Sequence, residues 1–132
     1  MKVSDLQSHE LFTAQADESL EEAADRMSWH QVGALPVLDG QRLVGIITER
    51  DLTAALAEDA DPATTPASDY MTPAPEVLGP DNELADAAHL MLELGIRHLP
   101  VVRGGRLLGV LSMRDVLDAE SHRADLTGGT PT

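Results

Sequence analysis

Apolar residues recur along this chain at two spacings, one helical and one strand-like, and the whole pattern comes round twice. Leu20, Ala23, Ala24 and Met27 fall at i, i+3, i+4 and i+7, which predicts a helix opening after Asp17 or Ser19. The acidic Glu18, Glu21 and Glu22 suit the positive end of its dipole. Two short apolar runs follow, residues 34–38 and 43–47, and the turn signal Asp39-Gly40 between them predicts a hairpin. Pro36 has no amide hydrogen, so an edge position or a bulge is expected there. Thr48 then caps a helix through Leu52 and Leu56, and the acidic, proline-containing residues 58–68 lead away as an exposed connection.

The same features return 64 residues later without a gap. Leu84, Ala87, Ala88 and Met91 repeat the helical face, and Leu99-Pro100-Val101 repeats Leu35-Pro36-Val37. Ser68-Asp69 answers Ser4-Asp5, and Gly109-Val110-Leu111-Ser112-Met113-Arg114-Asp115 answers Gly45-Ile46-Ile47-Thr48-Glu49-Arg50-Asp51. In the second copy the helix covers residues 84–94, the hairpin turns at Gly104-Gly105, and the last helix starts after Ser112 and fades before Gly128-Gly129. The chain thus divides into a first repeat over 1–60, a linker over 61–67, a second repeat over 68–120 and a tail over 121–132 that is expected to be disordered. Neither repeat can bury its apolar face alone. They are expected to pack about a pseudo-twofold, share one core and bring their two hydroxyl-to-aspartate junctions into one cleft.

Composition narrows the function. At 132 residues the chain is one ordinary domain, and its net charge of −14 with no compensating basic stripe argues against a nucleic-acid partner. The lack of cysteine removes disulfides, thiolate catalysis and cysteine metal sites together. Histidines at 9, 30, 89, 98 and 122 lack metal-ligand spacing, so no metal is expected, and no Ser or Thr nucleophile has a base placed beside it. No catalytic residue is predicted. The first residues carry no apolar signal segment and no uncharged apolar run nears the roughly 18 residues that would span a bilayer. A soluble cytoplasmic protein with no membrane partner is expected. Met27 and Met91 need only packing, and Trp29, without an aromatic counterpart, is assigned to the edge of the core in preference to an assembly surface.

The doubled Gly-x-x-Thr/Ser-x-x-Asp signature, the Leu-Pro-Val step and the order of elements resemble the CBS domain, and the chain from about Val3 to Ala119 resembles one tandem pair of such domains, a Bateman module. The resemblance implies a mixed α/β (α+β) fold, each repeat running β-α-β-β-α, and a cleft that in many members holds AMP, ADP, ATP or S-adenosylmethionine. It implies no catalysis and no cofactor in the enzymatic sense, such a ligand being regulatory. It also implies a homodimer formed through the helices, and occupancy relayed to an unidentified protein target.

By match, the ligand-binding residues are Asp51 with Thr48 and Asp115 with Ser112, the carboxylates taking ribose hydroxyls and the hydroxyl residues touching ribose or phosphate. Charged hydrogen bonds of this kind are about twice as strong as neutral ones. The same spacing equally fits a helix N-cap with an acidic first turn, which needs no ligand. Arg97 and His98 occupy positions that are often basic in nucleotide-binding members, whereas the first repeat has Gly33 and Ala34, so the half-sites are expected to be unequal, with phosphate held in the one pocket that Arg97 and His98 reach. A solvated arginine and a hydrogen-bonded strand histidine are the alternatives. Arg50 and Arg114 are possible phosphate contacts, or surface ion-pair partners. Three classes of function remain: an adenosyl-ligand sensor, a ligand-free interaction module, and an enzyme, for which the residues give no support.

Overall fold

The computed structural model describes residues 1–6 and 11–126, with side chains to residue 121. Its elements follow the 64-residue register. In the first repeat, β1 (Ala14–Gln15) leads to α1 (Leu20–His30), the hairpin β2 (Ala34–Asp39) and β3 (Arg42–Thr48), and α2 (Glu49–Ala57). In the second, β4 (Thr72–Pro73) precedes α3 (Leu84–Leu94), the hairpin β5 (His98–Arg103) and β6 (Arg106–Ser112), and α4 (Met113–Leu126). The expected helices and hairpins are therefore present. The last helix runs past residue 121, where the tail was expected to begin, and residues 127–132, including Gly128-Gly129, lie outside the described residues.

Local chemistry sets these boundaries. The Ser19 hydroxyl accepts from the Glu22 amide and starts α1, and Thr48 and Asp51 form a reciprocal capping box at α2. α1 and α3 end on left-handed residues, Gln31 at φ 55° and Gly95 at φ 66°. Glycine adopts that conformation without strain; glutamine does not. Both hairpins bulge at matching places, Val37/Leu38 and Val101/Val102, one residue beyond the prolines. Pro100 turns its carbonyl outward to the Leu78 amide at 2.8 Å, so its missing amide hydrogen costs the β5–β6 ladder nothing.

The repeats do not share one core. One apolar cluster gathers Leu20, Ala23, Met27, Leu35, Val37, Ile47 and Ala55; the other gathers Leu84, Ala87, Met91, Leu99, Val101, Leu111 and Val116. Each is closed by a segment that sequence order assigns to the other half. Val3, fully buried, joins the second cluster, with its amide on the Asn82 carbonyl at 2.9 Å. Ala67, also fully buried, joins the first, with its amide on the Glu18 carbonyl at 2.7 Å, and β4 pairs with β3. Near its far end the supposedly exposed connection is therefore docked through Ala67, while residues 61–64 and Ser68 are exposed. Gly45 permits this crossing: a Cβ there would press on Met71 Sδ and stand 2.9 Å from the Thr72 carbonyl oxygen. Leu56 faces outward, with Ala55 buried in its place, and Trp29 is 84% exposed, which removes it from the core edge. No helix among the described residues is long and apolar enough to cross a membrane.

Candidate ligand-binding clefts

The second hairpin and α4 supply one cleft of about 990 Å³, and the first hairpin and α2 supply another of about 520 Å³. The single cleft expected for both junctions is in fact two, because the N-terminus of each helix faces the helix end and loop of the opposite repeat. The larger cleft sets Ser112, Arg114 and Asp115 against Phe12, His30 and Gly33. The smaller sets Thr48, Arg50 and Asp51 against Glu76, Ile96 and Leu99. Gly33, Glu49, Arg97 and His98 line both and form their common wall. All eight residues singled out from the sequence stand on cleft walls. The expectation that Arg97 and His98 serve only one pocket is corrected: they border both.

The two aspartates take part in helix capping, and each does so through one oxygen among the described residues. Asp51 Oδ2 accepts from the Thr48 amide at 2.9 Å and from Thr48 Oγ1 at 3.1 Å, while the Asp51 amide donates to Thr48 Oγ1 at 3.3 Å. Asp115 Oδ2 accepts from the Ser112 amide at 3.2 Å, and the Asp115 amide donates to Ser112 Oγ at 3.0 Å. Oδ1 of each aspartate has no hydrogen-bond partner among the described residues, so each can accept from a ligand hydroxyl without losing its cap. The junctions differ in one respect. Thr48 spends its hydroxyl proton on Asp51, whereas the Ser112 hydroxyl proton is uncommitted among the described residues.

The common wall brings a ring and a carboxylate together at Gly33. A Cβ built on Gly33 would meet the His98 ring at 3.5 Å and Glu49 Oε1 at 3.6 Å, ordinary contact distances that place the imidazole and the carboxylate over the same backbone position. The wall is tied to the helix starts, since the Glu49 amide donates to the Gly33 carbonyl at 3.1 Å and the Met113 amide donates to the Arg97 carbonyl at 2.8 Å. Burial holds the His98 pKa below its usual 6.5; Glu49 and Asp115 oppose that shift, and Arg97 adds to it. His98 is therefore neutral at pH 7.

Sequence reasoning passed over three cleft residues. Phe12 stacks on His30 with ring centroids 3.7 Å apart and planes 12° apart, giving the larger cleft an aromatic side. Its counterpart 64 residues on is Glu76, which gives the smaller cleft a carboxylate instead. Comparing the repeats at that offset would have exposed the difference. Glu49 lies inside the signature, where its acidity reads as a first-turn feature of α2. Among the described residues no group of three His, Asp or Glu is gathered closely enough to hold a metal.

This architecture, two β-hairpin and helix repeats enclosing paired clefts, is that of a CBS-domain pair, and the chain belongs to the CBS-domain family, whose profile matches residues 3–58 and 67–122. An uncharacterized 17.7 kDa protein of Acidianus ambivalens is 40% identical over 89% of this chain and 72% of its own length. Among solved structures, CBSX2 in complex with AMP is 31% identical, with a TM-score of 0.80 over 92% of this chain and 97% of that one. The CBS-domain pair of protein MJ0100, in complex with 5-methylthioadenosine and S-adenosyl-L-methionine, is 27% identical, with a TM-score of 0.86 over 93% and 98%.

Proposed function

We propose that this protein is a cytoplasmic regulatory module that binds an adenine nucleotide or adenosyl ligand, namely AMP, ADP, ATP or S-adenosylmethionine, in its clefts and relays occupancy to a protein target. The observation that carries this reading is that Asp51 and Asp115 each line a cleft that also holds arginines, and each keeps one carboxylate oxygen without a hydrogen-bond partner among the described residues. A ribose offers two vicinal hydroxyl donors and a phosphate needs cations, so the residue set suits both halves of a nucleotide. The adenosine compounds in CBSX2 and MJ0100 support the same class. Turnover is not part of the proposal.

Thermal denaturation in the presence of AMP, ADP, ATP, NADH and S-adenosylmethionine tests it. A ligand at 100 times its dissociation constant should add about 2.7 kcal/mol of stability. A melting temperature unmoved by every one of them at millimolar concentration would contradict the sensor reading. The remaining reading would then be a ligand-free interaction module, which the exposed Trp29, Leu56, Leu92 and Leu117 on the four helices favour.

A further inference from the structure

The most consequential feature of the clefts is what they have in common. Each has its own arginine within the signature, Arg50 in the smaller and Arg114 in the larger. Arg97 borders both. An exact doubling would have placed a second such cation at residue 33, where the first repeat has glycine. One guanidinium therefore stands where a symmetric pair would have two, and His98, also on both clefts, is neutral at pH 7.

We propose that the two clefts are negatively coupled for phosphorylated ligands because they compete for Arg97; this rests on the nucleotide-binding reading above. A guanidinium engages a phosphate through directed, paired N–H donors, so turning its fork toward one cleft withdraws it from the other. The Glu49 carboxylate, on the same wall, sharpens the effect: once Arg97 is committed to one phosphate, a second anion meets Glu49 with only its own cleft's arginine to offset it. A ligand lacking phosphate makes no demand on Arg97 and feels no such penalty. Coupling of this kind is a free-energy difference between singly and doubly occupied protein, and it is reciprocal between the clefts.

Calorimetric titration with AMP of the parent and of two single-cleft variants decides the matter. Asp51→Asn disables the smaller cleft and Asp115→Asn the larger, and asparagine retains an oxygen for the helix cap, so both should fold, as unchanged melting curves would verify. Each variant reports the affinity of its remaining cleft in isolation. In the parent, the second AMP should bind about tenfold or more weaker than the weaker of those two isolated clefts, within the range usual for coupled sites. Adenosine should show no such gap, and Arg97→Ala should close it for AMP. Stepwise AMP constants in the parent that equal the isolated ones would overturn the coupling while leaving nucleotide binding intact. A gap that persists in Arg97→Ala, or one that adenosine shows equally, would also overturn it. Absence of AMP binding to the parent would overturn this inference, and only absence of binding by every one of the adenosine compounds would remove the reading beneath it.

Discussion

His98 holds its proton weakly because burial disfavours the imidazolium, and a phosphate set beside it would reverse that balance. Binding of AMP should then be linked to proton uptake, so affinity rises as pH falls through the His98 pKa of the bound state toward that of the free protein. The phosphate's own second ionisation, near pH 6, works in the opposite sense but equally in any variant. The ratio of parent to His98→Gln affinity should accordingly grow by about threefold or more between roughly pH 8 and pH 6. A pH-independent ratio would remove His98 from the phosphate's neighbourhood. Arg97→Ala should weaken AMP by about ten- to a hundredfold, the cost of a charged hydrogen-bond partner, and leave adenosine nearly unchanged. Equal losses for both ligands would mean that Arg97 supports the fold and does not meet phosphate.

Elements differ between the repeats in how they are tied down. At the start of α1, Glu18 accepts from both Arg26 terminal nitrogens at 3.0 and 2.7 Å and from the Gln15 amide at 2.7 Å, while Arg26 also donates to the Thr13 carbonyl at 2.9 Å. In the second repeat the counterparts are Asn82, whose Oδ1 accepts from the Gly79 amide at 2.7 Å, and Leu90, which packs on the apolar cluster. An ion pair in one copy is replaced by an amide and a packed leucine in the other. Arg26 first, and the Gln15 amide with it, outweigh burial and hold the Glu18 pKa down from 4.5 to about 2. The pair therefore contributes stability above pH 4.5 that is lost as pH falls toward 2. Glu18→Gln should cost about 1 kcal/mol at pH 7, since the pair is partly solvent-screened, and the difference from the parent should vanish in acid denaturation near pH 2. A constant difference across that window would place the effect in packing.

Most of these elements could be read from the sequence because each follows from a period or a turn. The residues 84–94 predicted as helical are the α3 observed, and the hairpin does bulge beside Pro36, one of the two arrangements its missing amide hydrogen led one to expect. The segments that close the two cores left no such trace. Val3 bonds to Asn82, and β4 lies against Gly45, through backbone groups and close approach, which hydrophobic periodicity does not encode. For the same reason the signature residues were visible while the wall that joins the clefts was not: Gly33, Glu49 and His98 meet only in the packed structure.

At the scale of the whole molecule, two clusters in place of one shared core predict independent energetics. Leu20→Ala and Leu84→Ala should each cost about 2 to 5 kcal/mol, and because they sit in separate clusters their costs should add to within about 0.5 kcal/mol. Val3→Ala should destabilise by about 2 kcal/mol despite lying outside the second repeat in sequence; denaturant titration with no change would detach Val3 from that cluster. Exposed apolar residues on all four helices, with Trp29 at 84% and Leu92 at 72%, support the proposal of a closed twofold homodimer. Sedimentation at tens of micromolar should show the dimer, and monomer alone there, meaning association weaker than about −6 to −7 kcal/mol, would contradict it. The central claim is that the clefts themselves receive an adenosine compound, and residue-resolved amide shifts during AMP titration test it most directly. The account predicts saturable shifts concentrated at Gly33, Thr48, Asp51, Arg97, His98, Ser112 and Asp115, on the two clefts and their common wall. Shifts confined to the outer faces of the helices around Trp29 and Leu92, or no shifts with AMP or any of the other adenosine compounds at millimolar concentration, would contradict it.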